Sequence, residues 1–176
     1  MAPLYTGGIF KSGGNQYNGG IIQSNFKFVP GNVSGSGNWW HVSQFDCPIT
    51  PTSVNSKILI ICSLGSVSGN NNSQGFQIRR NGSEVTPLMA TGNASRPRMS
   101  FRGARNWNGD SNHTWGCGIT LLDDPQTTSS VTYRLYARAE SNGELYINRT
   151  QNNSNGGDVY QGNTTSSMTV FEISDT

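Results

Sequence analysis

A chain of 176 residues has room for one domain with a core of its own. Only 12% of it is charged, the net charge is +2, and 22 residues are glycine. That balance excludes a disordered polyelectrolyte and a strong field steering the protein to nucleic acid or to a membrane surface.

The start, Met1-Ala2-Pro3-Leu4-Tyr5, has no basic region leading into an apolar run, so no signal peptide is expected. No apolar stretch reaches bilayer length, so no membrane span is expected either. Cys47, Cys62 and Cys117 are odd in number and form no Cys-x-x-Cys pair. They are expected as buried free thiols of a protein made in a reducing cytoplasm. Triplets such as Asn32-Val33-Ser34 and Asn81-Gly82-Ser83 fit the glycosylation pattern. A chain so rich in Asn, Ser and Thr generates them by chance, and none is read as glycosylated.

Residues 1–20 alternate Gly, Asn and Ser with scattered large side chains: Leu4, Tyr5, Ile9, Phe10 and Tyr17. This reads as an extended arm able to dock on a neighbour. A first strand is expected over 21–29, with Ile22, Ser24, Phe26 and Phe28 on one face. A second is expected over 39–45, with Trp40, Val42 and Gln44 opposite Trp39, His41, Ser43 and Phe45. From Cys47 a connection punctuated by Pro and Ser runs to Lys57. The unbroken apolar run Ile58-Leu59-Ile60-Ile61-Cys62 then reads as a central core strand covered on both sides.

After a polar loop, residues 75–80 lead into Asn81-Gly82, a hairpin signal because both central residues of a type I′ turn need φ > 0. The strand over 131–139 shows the best alternation, with Val131, Tyr133, Leu135, Ala137 and Ala139 on one face. It enters Asn142-Gly143, which predicts a second hairpin of the same kind. Further strands are expected over 96–102, 115–122 and 167–173. Eight or nine strands and no helix predict an all-β fold: an antiparallel two-sheet sandwich, jelly-roll-like, over residues 21–176, carrying the extended N-terminal arm.

Candidate chemistry is sparse. His41 and His113 each lie beside tryptophan, and with Cys117 they would need the fold to bring them together before they could hold a metal. No metal or cofactor is expected. Asp123-Asp124 and the pair Glu140 and Glu144 supply carboxylates of the kind that glycoside hydrolysis uses. Both pairs border turns, where such residues occur anyway, so no catalytic residue is assigned. Arg96, Arg98 and Arg102 alternate along one expected strand and give it a cationic face. With Tyr5, Ile9, Phe10 and Tyr17 they are the candidate interface, since Arg and aromatic groups are favoured where proteins meet. Trp107, in an Asn-rich loop, is the candidate exposed contact for a partner or a glycan.

Three segments, taken together, resemble a known kind of domain. They are residues 49–60 (Ile-Thr-Pro-Thr-Ser-Val-Asn-Ser-Lys-Ile-Leu-Ile), residues 121–133 (Leu-Leu-Asp-Asp-Pro-Gln-Thr-Thr-Ser-Ser-Val-Thr-Tyr) and residues 166–173 (Ser-Ser-Met-Thr-Val-Phe-Glu-Ile). In that order they resemble a virion surface domain of tailed phages of aquatic bacteria, including cyanophages, over roughly residues 20–175. The resemblance implies an all-β, homotrimeric, non-enzymatic module on the virion surface, made in the host bacterial cytoplasm. About 20 residues precede the domain, so no tail-fibre shaft is expected. A capsid decoration (cement) protein gripping the major capsid protein is the expectation. The alternative is a tail-fibre or tail-tip module that binds host-surface glycans.

Overall fold

The computed structural model describes residues 10–12, 15–17, 20–69, 73–92, 95–103, 111–154 and 156–174. The strands in chain order are β1 (Phe10–Ser12), β2 (Asn15–Tyr17), β3 (Ile21–Val29), β4 (Val33–Ser36), β5 (Trp40–Ile49) and β6 (Lys57–Gly69). They continue with β7 (Gln74–Arg80), β8 (Phe101–Arg102), β9 (Trp115–Asp123), β10 (Val131–Ala139), β11 (Glu144–Ile147) and β12 (Ser166–Ile173). Short 3-10 turns at Thr86–Leu88, Glu140–Asn142 and Val159–Gln161 are the helical elements among the described residues.

The protein is an antiparallel β-sandwich. The smaller sheet runs β5-β10-β7-β8. The larger runs β3-β12-β6-β11-β4, with β9 also paired to β6. The apolar run at Ile58–Cys62 does sit at the centre: β6 spans 13 residues and bonds to β12, β9 and β11.

That strand is not covered on both sides, however. Ile58, Ile60, Cys62 and Leu64 are fully buried, whereas Leu59 is half-buried and Ile61 is 38% exposed. Period-2 geometry sends alternate side chains to opposite faces, and only one face meets the second sheet. Full burial of an Ile such as Ile60 stabilises the fold by about 1.5–3 kcal/mol, so the inward row alone accounts for the strand's central place.

Four other expectations are corrected. The connection expected from Cys47 begins later, because β5 continues through Pro48 to Ile49. Within β5 a bulge shifts the register between the Val42–Leu135 and Cys47–Tyr133 pairs. It turns Phe45 inward beside Val42, and both are buried. Gly143 has φ −65°, and the left-handed residue is Ser141 at φ 55°. β10 and β11 lie in different sheets, so Asn142-Gly143 marks a crossing between layers and not a hairpin. The expected strand over 96–102 reduces to Phe101–Arg102.

The Asn81-Gly82 turn is as its sequence predicts. Asn81 (φ 52°) and Gly82 (φ 83°) are both left-handed, and Arg80 and Ser83 exchange backbone hydrogen bonds of 3.1 and 2.9 Å. The regular alternation of β10 also holds, with Val131, Tyr133, Leu135, Ala137 and Ala139 all buried.

Within the expected arm, β1 and β2 pair as a short hairpin, with Phe10 opposite Tyr17. Tyr5 and Ile9 lie outside the described residues, as does Trp107.

Candidate functional site

The two outer surfaces of the sandwich differ in chemistry. On the smaller sheet, β10 turns Arg134, Tyr136 and Arg138 outward. Asp46 accepts from His41 Nε2 at 2.5 Å and lies 3.5 Å from Arg134 Nε. His41 stacks on Tyr136 with ring centroids 5.2 Å apart, and the Arg79 guanidinium lies 4.1 Å from the Tyr136 ring centre. This side is charged, and much of its charge is internally paired.

The larger sheet presents the opposite character. Paired residues across β3, β12, β6 and β9 share a face, so the register fixes three rows. They are Phe28, Ser167, Ser63, Gly118; then Phe26, Thr169, Ile61, Thr120; then Ser24, Phe171, Leu59, Leu122. None of these twelve positions carries a charge. Phe26 and Phe28 are 55% and 57% exposed, and Leu122 is 53% exposed. Ile21 and Ile22 continue the apolar surface at the end of β3. Together these side chains leave apolar area on the order of 500 Å², the upper range for the largest patch of a monomer.

The face is outward because its inner counterpart is committed. Gln23, Asn25 and Lys27 alternate with the outward residues of β3. Gln23 Nε2 donates to the Thr50 carbonyl at 2.6 Å and Asn25 Nδ2 to the Pro48 carbonyl at 2.7 Å, which ties β3 to the β5 end of the smaller sheet. The polar side of β3 is thus the one that faces protein, and its aromatic side faces solvent.

Three of the four candidate carboxylates are tied to neighbouring side chains. Asp123 is 1% exposed and accepts from Arg80 Nη1 at 3.0 Å and from the Tyr133 hydroxyl at 2.7 Å, both across the sandwich. Burial and the neighbouring Asp123 push the Tyr133 hydroxyl well up from its ordinary range. Asp124 pairs with Lys57 at 2.5 Å. Glu144 accepts a short hydrogen bond from Tyr146.

Glu172 is fully buried and accepts from Gln23 Nε2, the Thr52 backbone N–H and Thr52 Oγ1 at 2.6, 2.6 and 2.8 Å. Burial alone would raise its pKa, but those hydrogen bonds outweigh it and hold the carboxyl at about 2. Among the described residues no group of three or more His, Cys, Asp or Glu is placed to hold a metal, and no helix is long and apolar enough to cross a membrane.

The candidate interface arginines do not form one cationic strand. Arg96 is exposed in an irregular segment. Arg98 is turned back on its own loop, donating from Nε to the Ala90 carbonyl at 3.2 Å and lying 3.7 Å from Glu84. Arg102 is exposed on β8. The regular spacing reflects a short edge strand preceded by coil.

Sequence reasoning missed the uncharged face of the larger sheet. Its signals were Phe26 and Phe28 on the same side of β3 and four consecutive aliphatic residues in β6. No family model matches this chain, and no curated protein matches it.

Proposed function

We propose that this chain is a non-enzymatic structural protein of a phage virion, displayed on the virion surface as a homotrimeric capsid decoration protein. One observation carries the assembly part: the twelve-position outer face of the larger sheet carries no charge and exposes Phe26, Phe28, Ile61 and Leu122. A second copy can meet such a face without opposing like charges. Its exposed apolar area, on the order of 500 Å² with Ile21 and Ile22, is a large share of the ~800 Å² that one partner contributes to a standard interface, and closure between copies would remove it from water.

The virion setting rests on the resemblance of residues 49–60, 121–133 and 166–173 to phage surface domains. Strand order supports a jelly-roll-like reading of the sandwich. Taking β3, β5, β6, β7, β8, β9, β10 and β12 as first to eighth, the first pairs with the eighth, second with seventh, third with sixth and fourth with fifth. That nesting is what two Greek keys rolled together produce. Buried thiols suit a protein made in the host cytoplasm: burial pushes both Cys47 and Cys117 up to about 11.

The test is sedimentation of the purified chain, followed by co-sedimentation with capsids that lack it. Trimers that bind saturably to heads and stabilise them support decoration. A monomer at micromolar concentration overturns the assembly reading. Trimers that leave heads untouched but block adsorption to host cells replace decoration with the receptor-binding alternative.

A further inference from the structure

The charged side of the sandwich holds a feature that assembly does not use. Gly75 on β7 pairs with Arg138 of β10 on one side and with Arg102 of β8 on the other. Residues in one such row share a face, so two arginines flank a position that has no side chain. Their Cα atoms stand two strand spacings apart, roughly 9–10 Å. The space over Gly75 is filled from above: a Cβ there would lie 2.6 Å from Met99 Sδ and 3.3 Å from the Trp39 ring. A cleft of about 200 Å³ opens beside it, lined by Ser73, Gln74, Pro97, Met99, Arg102, Arg138 and Glu140.

The groups lining this cleft point to one ligand chemistry. Neither Arg102 nor Arg138 has an ion-pair partner among the described residues, in contrast with Arg79, Arg80, Arg98 and Arg134, each of which lies within 4 Å of a carboxylate. Two unspent guanidinium groups on one rim suit a carboxylate, which they bind by charge-assisted, forked hydrogen bonds. Glu140, exposed beside the cleft, supplies an acceptor that would take a hydroxyl proton. Met99 and Pro97 add an apolar wall for the carbon face of a ring.

We infer that this cleft, set by Arg102 and Arg138 on either side of Gly75, is a binding site for a carboxylate-bearing sugar of the uronic acid class. Its volume is below the ~300–1,000 Å³ of ordinary ligand pockets, so it takes a single ring, such as the acidic residue of a longer glycan. The site lies on the opposite outer surface from the uncharged face. Its existence does not depend on the assembly reading.

The test is a two-dimensional amide NMR titration of the full chain with sodium D-glucuronate, D-glucose and sodium acetate. Saturable shifts with glucuronate, centred on Gly75, Met99, Arg102 and Arg138, are expected, with weaker or no response to the other two. Arg102→Gln and Arg138→Gln are each expected to lower glucuronate affinity about tenfold or more, the scale of one charge-assisted contact. Both side chains are at the surface, and an unchanged melting temperature confirms that the variants fold. No saturable shift, equal response to acetate, or folded arginine variants that bind as the parent does would overturn the site. Failure here leaves trimer formation and head binding as they were, because those are read by sedimentation.

Discussion

Arg80 and Asp123 lie on opposite sheets of the sandwich and meet at 3.0 Å, with Asp123 almost wholly buried. The Tyr133 hydroxyl donates to the same carboxylate oxygen at 2.7 Å. A buried charge held this way costs little while its partners stay and a great deal when one is removed. Asp123→Asn is expected to destabilise the fold by about 2–3 kcal/mol, moderated because Arg80 can still reach water. Tyr133→Phe should cost about 1–2 kcal/mol. The two losses should not add, since both act on one oxygen, and urea unfolding of the double variant measures the shortfall.

Glu172 makes stability depend on acid. Its folded pKa of about 2 lies below the ordinary 4.5. The stabilisation is therefore fully present above about pH 4.5 and is lost as the pH falls toward 2. A difference of that size corresponds to about 3 kcal/mol. Glu172→Gln should be less stable than the parent at pH 7 and should lose much less between pH 5 and pH 2. Chemical denaturation at several pH values checks both statements. Parallel slopes for parent and variant would remove Glu172 from the account.

What could be read from the sequence follows from what a local pattern contains. Alternation in β3 and β10 told which residues share a face. It did not tell which face is inside, and for β3 the aromatic side proved to be the wet one because Gln23 and Asn25 bond to β5. The Asn81-Gly82 turn was legible because its left-handed φ values are a local demand. The same dipeptide logic failed at Asn142-Gly143, where the partner strand belongs to the other sheet. Phe45 was assigned the wrong side because a bulge changes the period, and the hydrophobic pattern alone gave no sign of it. The cleft at Gly75 depends on pairing across three strands far apart in sequence, so no local motif carries it.

Thiol chemistry should report the burial of the three cysteines. Burial raises all three thiols, Cys47 and Cys117 to about 11 and Cys62 further. Native protein at pH 8 should therefore react slowly with a disulfide reagent, and Cys117, the least enclosed, should react first. Denatured protein should show all three at once. A fast-reacting thiol in the native state would contradict the packing of β6 against β9.

Gly82 tests the turn. At φ 83° an added methyl is strained, and a Cβ would lie 3.3 Å from both Arg134 Nη1 and the Tyr136 hydroxyl. Gly82→Ala should destabilise the protein by about 1 kcal/mol without changing its assembly or its cleft. Thermal unfolding measures the loss, and unaltered sedimentation shows that it stays local.

Ile61 stands at the centre of the uncharged face, between Thr169 of β12 and Thr120 of β9. It is 38% exposed in the isolated chain, so a charged side chain there can reach water without disturbing the inward row of β6. Ile61→Glu should therefore leave monomer stability within about 1 kcal/mol of the parent. In an assembly the same carboxylate would be buried without a counter-charge and would face its own copy. That juxtaposition costs several kcal/mol per contact, enough to shift association a thousandfold or more on the scale of ~1.4 kcal/mol per factor of ten. Sedimentation of the variant should show monomer where the parent assembles. If Ile61→Glu assembles like the parent, the copies meet through another surface, and residues 1–20, with Phe10 and Tyr17, become the next segment to vary.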